Sequence, residues 1–193
     1  DTVPYFFLGS VRHDMVRIFS DPSSPFFKSA LPMEVGTIEP EEMTRFIKRR
    51  FAAGNRAIDE ETIGKILKET NLVTGDVQEF CDALWSSTKD GAVITEKSFS
   101  AALELIFSRE LRGYEIHLSS LTDFQLTVLC ELAKTAVKKP FSTEFLSAIN
   151  LHNASSVRRA IKSLESKGII YNYRSEYRFV HIFFKHWLNR SLG

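Results

Sequence analysis

The residues best able to do chemistry in this 193-residue chain fall in one stretch, 154–167. Ser155, Ser156, Arg158, Arg159, Lys162 and Ser163 lie on one side of a helical repeat. Ala154, Val157, Ala160, Ile161 and Leu164 lie on the other. An arginine fork meets a guanine edge with two hydrogen bonds, and lysine and serine suit phosphate oxygens. The chemistry implied is recognition of a polyanion rather than bond breaking. Arg174 and Arg178 follow in a β-prone stretch beside Tyr173 and extend the same basic surface. The candidate DNA-contacting residues are therefore Ser155, Ser156, Arg158, Arg159, Lys162, Arg174 and Arg178. The competing reading is a solvated face, or one that touches protein.

Other reactive residue types form no reaction centre. A phosphate-binding loop needs G-x-x-x-x-G-K-[ST], and Gly64-Lys65 lacks the upstream glycine and the following hydroxyl. No acidic pair at a strand end offers a magnesium site, so no ATP hydrolysis by this chain alone is expected. Histidines stand at 13, 117, 152, 181 and 186 without the cysteines or carboxylates of a zinc shell. Ser10, His13 and Asp14 are close in sequence, but nothing sets up a nucleophile elbow or an oxyanion hole. Cys81 and Cys130 are far apart within helix-like patterns and read as reduced thiols.

Elements that would position the basic face can be read around it. Thr122 and Gln125 form a capping box that opens a helix through Phe124, Val128, Leu129 and Leu132. Pro140 separates it from a short helix near 143–149. Asn153 caps the basic helix and Gly168 ends it. Residues 169–173 and 177–180 make a hairpin joined through Arg174-Ser175-Glu176. Phe183, Phe184, Trp187 and Leu188 form a closing aromatic helix, read as core packed on this body. Three helices and a hairpin are the order of a winged helix-turn-helix.

Upstream, residues 39–112 read as a four-helix bundle. Pro40 opens the first helix, through Met43, Phe46, Ile47 and Phe51. Asp59 caps a second, with Ile63, Ile66 and Leu67 inward. The third starts near Gly75-Asp76 and buries Val77, Phe80, Cys81, Leu84 and Trp85. Thr95 caps the fourth, with Phe99, Ala102, Leu103, Ile106 and Phe107 inward. Gly113 to Ser120 is expected to be a connector. Pro4-Tyr5-Phe6-Phe7-Leu8-Gly9 and the stretch near 31–35 are expected to be strands, the tail of a domain that precedes the chain. The fold class expected is mostly α (α+β). Its parts are a strand remnant at 1–38, a helical bundle at 39–112 and a winged helix at 113–193.

Composition agrees with a folded domain: 44% of residues are hydrophobic and 25% charged. This excludes a disordered chain and a disulfide scaffold. No apolar run is long enough to cross a bilayer and no secretory signal is visible, so a cytoplasmic protein is expected. The net charge of +1 is unevenly spread: residues 120–193 carry +6 and residues 1–119 carry −5. A basic third on an acidic body suggests two units with different partners.

Together these pieces resemble the C-terminal part of archaeal-type P-loop ATPases, in the STAND branch near AAA+ proteins such as the origin-recognition initiators. Tyr5-Phe6-Phe7-Leu8-Gly9-Ser10, Met15, Ile18-Phe19 and residues 21–27 resemble that family's sensor-1 strand and following segment. Residues 39–107 resemble its helical lid. Ser155-Ser156-Val157, Ala160-Ile161, Leu164-Glu165 and residues 167–170 resemble its appended winged helix. The resemblance implies a nucleotide-dependent switch, with ATP and Mg held by a P-loop domain outside this chain and none bound here. It also implies that Ser10, or alternatively Arg12, senses the γ-phosphate. Gly75-Asp76 is followed by Val77-Gln78, where initiators carry a sensor-2 arginine. The alternative readings are a freestanding winged-helix transcription regulator and a pure protein-interaction module.

Overall fold

The computed structural model describes residues 3–9, 12–33, 35–134, 140–150, 153–173 and 175–192. The side chains of residues 12, 13, 14 and 16 are outside that description. Two compact units divide at Gly36 and Thr37 and are described separately.

In the first unit α1 spans Arg12–Phe19. Phe19 packs between Phe7 and Phe26, with ring centroids 5.1 and 6.4 Å away. The turn-rich stretch after it is closed by Asp21, whose carboxylate accepts from the Ser23 backbone and hydroxyl. The two strands expected here do not form. Residues 3–9 and 31–33 have no regular structure, and Phe6 and Leu8 expose 83% and 92% of their surface. The physical reason is pairing. A strand needs a neighbouring backbone, and no backbone hydrogen bond joins these two segments among the described residues.

The second unit begins with α2 (Pro40–Ala53), α3 (Glu60–Glu69), α4 (Thr74–Ser87) and α5 (Glu96–Ser119). Pro40 stands in the first turn of α2, and Met43, Ile47 and Phe51 form its buried edge. Phe46, expected inward, is one helical step off that edge and lies outward. Asp59 caps α3 by accepting the Thr62 N–H at 2.6 Å. Thr95 and Ser98 make a reciprocal capping box on α5. Ile63, Ile66, Phe80, Leu84, Ile94 and Ile106 fill the centre, each almost wholly buried. The loops before α3 and before α5 are stitched together: Ala57 donates to Ala92 and accepts from Ile94.

Trp85, expected in the core, is partly exposed at that end. Gly54 packs so tightly on its ring that a Cβ there would overlap it. The Arg56 guanidinium lies 3.9 Å from the ring centroid and donates to the Gly54 and Thr88 carbonyls.

Residues 113–119, expected to be part of a connector, are helical. α5 runs through Gly113 because Tyr114, His117 and Leu118 continue its inward pattern. There follow α6 (Asp123–Lys134), α7 (Thr143–Ala148), α8 (Ala154–Ser166), β1 (Ile170–Tyr173), β2 (Glu176–Phe179) and α9 (Ile182–Ser191). The strands pair antiparallel, Ile170 opposite Phe179 and Tyr173 opposite Glu176.

The aromatic C-terminal helix does more than close the winged-helix body. Phe183 stacks on Phe80 of α4 at 6.0 Å, and Phe184 meets Tyr114 of α5 at 4.9 Å. His186 Nε2 donates to the Glu69 carbonyl at 3.0 Å, and Arg190 pairs with Glu104. Asn189 donates to the Ala133 carbonyl of α6 at 2.8 Å. So α9 joins bundle and winged-helix elements into one core. No helix among the described residues is long and apolar enough to cross a membrane.

Candidate nucleic-acid interface

The basic helix is built as its residue types demand. Asn153 accepts the Ser155 N–H at 2.9 Å and starts α8. Val157, Ala160, Ile161 and Leu164 are buried. Lys167 is its C-cap, and Gly168 follows at φ +67°, a conformation a Cβ disfavours. Burial of four apolar residues along one edge leaves the opposite face no choice but to point away from the core.

On that face Arg158, Arg159 and Lys162 are exposed, and none has a carboxylate partner among the described residues. Other cations of the region are already engaged. Lys134 pairs with Glu131, Arg178 with Glu176 and Arg190 with Glu104. Lys185 is half-buried, and that burial lowers its pKa. The exposed described cations between Asp123 and Leu192 without a carboxylate partner are Arg158, Arg159, Lys162 and Lys167, all on α8 or its cap.

Details within the face differ from the sequence reading. The Ser155 hydroxyl donates to Asn153 at 2.7 Å, so it reinforces the cap rather than offering a free donor. Ser156 accepts from Arg159 at 3.4 Å. With Thr122, Phe124, Gln125 and Ala160 these two line a cleft of about 210 Å³ between α8 and the start of α6. Ser163 is held by the Gln125 amide at 3.0 Å. Arg158 lies 5.1 Å from the Phe141 ring centroid, which orients its guanidinium from the α7 side.

The hairpin adds less than expected. Arg178 is tied to Glu176 at 3.2 Å and lies 4.7 Å from the Tyr173 ring centroid. Arg174 is outside the described residues. So are Ser10 and the side chain of Arg12, whose backbone opens α1.

Residues 112–190 match a family model described as a probable winged helix domain. No curated protein matches the chain. The winged helix domain accounts for the order α6, α7, α8, β1, β2, and α9, which follows, packs on the core described above. Domains of this kind commonly bind DNA or proteins, and α8 is the helix directly before the hairpin.

Sequence spacing does not show Phe141 beside Arg158 or the Thr122–Gln125 cleft beside Arg159. The capping box was visible, but its nearness to Arg159 is a tertiary fact that sequence spacing does not carry.

Elsewhere among the described residues, Lys65 and the two cysteines sit in structural settings. Lys65 pairs with Glu96 and lies 4.3 Å from the Phe99 ring, so Gly64-Lys65 makes no phosphate cradle. Burial pushes the Cys81 thiol up to about 12, far from thiolate reactivity. Burial likewise raises Cys130. No three His, Cys, Asp or Glu side chains among the described residues group for a metal ion.

Proposed function

We propose that this chain is a double-stranded DNA-binding module and that α8 of the winged helix domain is its reading element. One observation carries this reading: the exposed cations of the described winged-helix elements that lack a carboxylate partner are gathered on α8 and its cap, while those elsewhere are paired or half-buried. Arg158, steadied by Phe141, and Arg159 address base edges in the major groove. Lys162 and Ser156 take phosphates on the flanks. Arg178 of the hairpin contributes to the backbone contact only once Glu176 releases it, and Arg174 is a further candidate for that contact.

The neighbouring bundle supports this reading by packing on α9, which leaves the outward face of α8 open. Should the chain be part of a P-loop ATPase, as the sequence resemblance implies, the bundle and winged helix would travel as one body when nucleotide state changes. The test of the DNA reading is duplex binding across a salt series by the parent chain and by R158A/R159A. The parent should bind with a log–log slope of about −0.9 per phosphate contacted, and the double variant should bind more weakly. Parent and variant with equal affinities would favour the protein-interaction alternative.

A further inference from the structure

A second concentration of positive charge lies on the acidic part of the chain. Residues 44–57 hold Arg45, Lys48, Arg49, Arg50 and Arg56 and no carboxylate, a charge of +5. The rest of residues 1–119 carries −10. Four of the five cations are on α2, and all four are exposed. Favourable interaction with a helix C-terminus accounts for a cation in the last turn, Arg50. It does not account for a row of four.

The fifth, Arg56, is committed to the Gly54 and Thr88 carbonyls and to the Trp85 ring. Arg45 pairs with Glu42 and Lys48 with Glu60, both at the surface. Such exposed pairs contribute little and exchange readily for a stronger anion. Arg49 and Arg50 have no carboxylate partner among the described residues. Arg50 meets only the helix terminus and the Phe46 ring, and Arg49 has no partner among the described residues.

We propose that the outward face of α2 is a second polyanion-binding surface, and that its occupant is the sugar–phosphate backbone of double-stranded DNA. Charge complementarity selects a polyanion. On α2 the exposed aromatic is Phe46 at 45%, beside Arg50. Trp85, 38% exposed, carries the Arg56 guanidinium over its ring. A row of free rings for stacking successive bases is therefore missing, which argues against a single strand. An apolar centre, the mark of a stable protein interface, is missing too. What remains is a set of exposed cations along one helix.

The inference shares its class of partner with the α8 reading but rests on different residues. The test is fluorescence anisotropy of the whole chain with a labelled duplex of about 30 base pairs over a salt series. The variants are R49A/R50A, R49K/R50K and R158A/R159A. Removing two phosphate contacts should make the log–log slope shallower by about 1.8 and weaken binding about tenfold at moderate salt. R49K/R50K should stay near the parent, because the charge rather than the fork is needed.

An R49A/R50A slope and affinity equal to the parent's would overturn the proposal. So would loss of polyglutamate binding in R49A/R50A with duplex binding unchanged, which would assign the face to an acidic protein. If R49A/R50A weakens binding and R158A/R159A does not, the α2 surface stands and the α8 reading falls. The reverse pattern removes the α2 surface alone. No duplex binding by the parent even at about 50 mM salt would overturn both.

Discussion

At position 114 a phenolic hydroxyl is buried without a hydrogen-bond partner among the described residues, while its ring packs between Phe184 and Trp187. Burial raises its pKa, and the nearby Glu110 and Glu79 push it further. An unsatisfied buried hydroxyl costs about 1–3 kcal/mol. Tyr114→Phe keeps the ring and removes that cost, so its melting temperature should exceed the parent's; a lower one would refute the point. Asp76 is pushed up to about 6 by burial, with Glu79 adding to the effect. Its folded pKa lies above its unfolded value, so stability from this residue is greatest at low pH and falls as pH rises through about 6. Asp76→Asn should therefore stabilise the protein more at pH 7.5 than at pH 4.5, read as the difference in melting temperature. Residue roles were only partly legible in the sequence. Residue type and helical spacing were enough to place Arg158, Arg159 and Lys162 outward. That Ser155 serves the cap and Arg178 serves Glu176 depends on side-chain geometry, which spacing leaves open.

Among the elements, α8 and α9 carry opposite burdens, one facing out and one facing in. Asn153 supplies the first hydrogen bond of α8. Asn153→Ala should cost about 1 kcal/mol of stability and weaken DNA binding, because the frayed first turn carries Ser156 and adjoins Arg158. Normal DNA affinity in this variant, measured below its melting transition, would show that the first turn is not part of the interface. Phe183 is 3% exposed and stacks on Phe80. Phe183→Ala should cost about 3–5 kcal/mol, and bundle and winged helix should lose stability together in thermal unfolding. Caps made most of these helices legible: Asp59, Thr95, Thr122, Asn153 and Gly168 all stand where boundaries form. Residues 113–119 were misjudged because Gly113 and the preceding charged residues read as a break. The packing of Tyr114 on Phe184, which keeps the helix going, joins segments about seventy residues apart. The strands expected near 4–9 and 31–35 are absent from the described residues 4–9, 31–33 and 35 for the complementary reason, since their apolar runs satisfy the pattern of a strand without a partner to pair with.

For the molecule as a whole, charge is sorted more finely than into an acidic body and a basic third. Cations cluster on α8 and on α2, while acidic residues are spread between them along the chain. The unit from Thr37 to Gly193 shares one core through α9, so a fragment cut at residue 114 would leave Phe183 and Phe184 without Phe80 and most of α5. Such a fragment should be unstable, and binding studies belong on the whole chain. The central claim is that α8 reads duplex DNA. The measurement that tests it most directly is the salt dependence of duplex affinity for the parent chain and for R158A/R159A. The expected result is a linear log–log fall for both proteins, with R158A/R159A binding more weakly at every salt concentration and keeping a slope near the parent's, because these arginines address base edges rather than phosphates. Superimposable lines for the two proteins would contradict it.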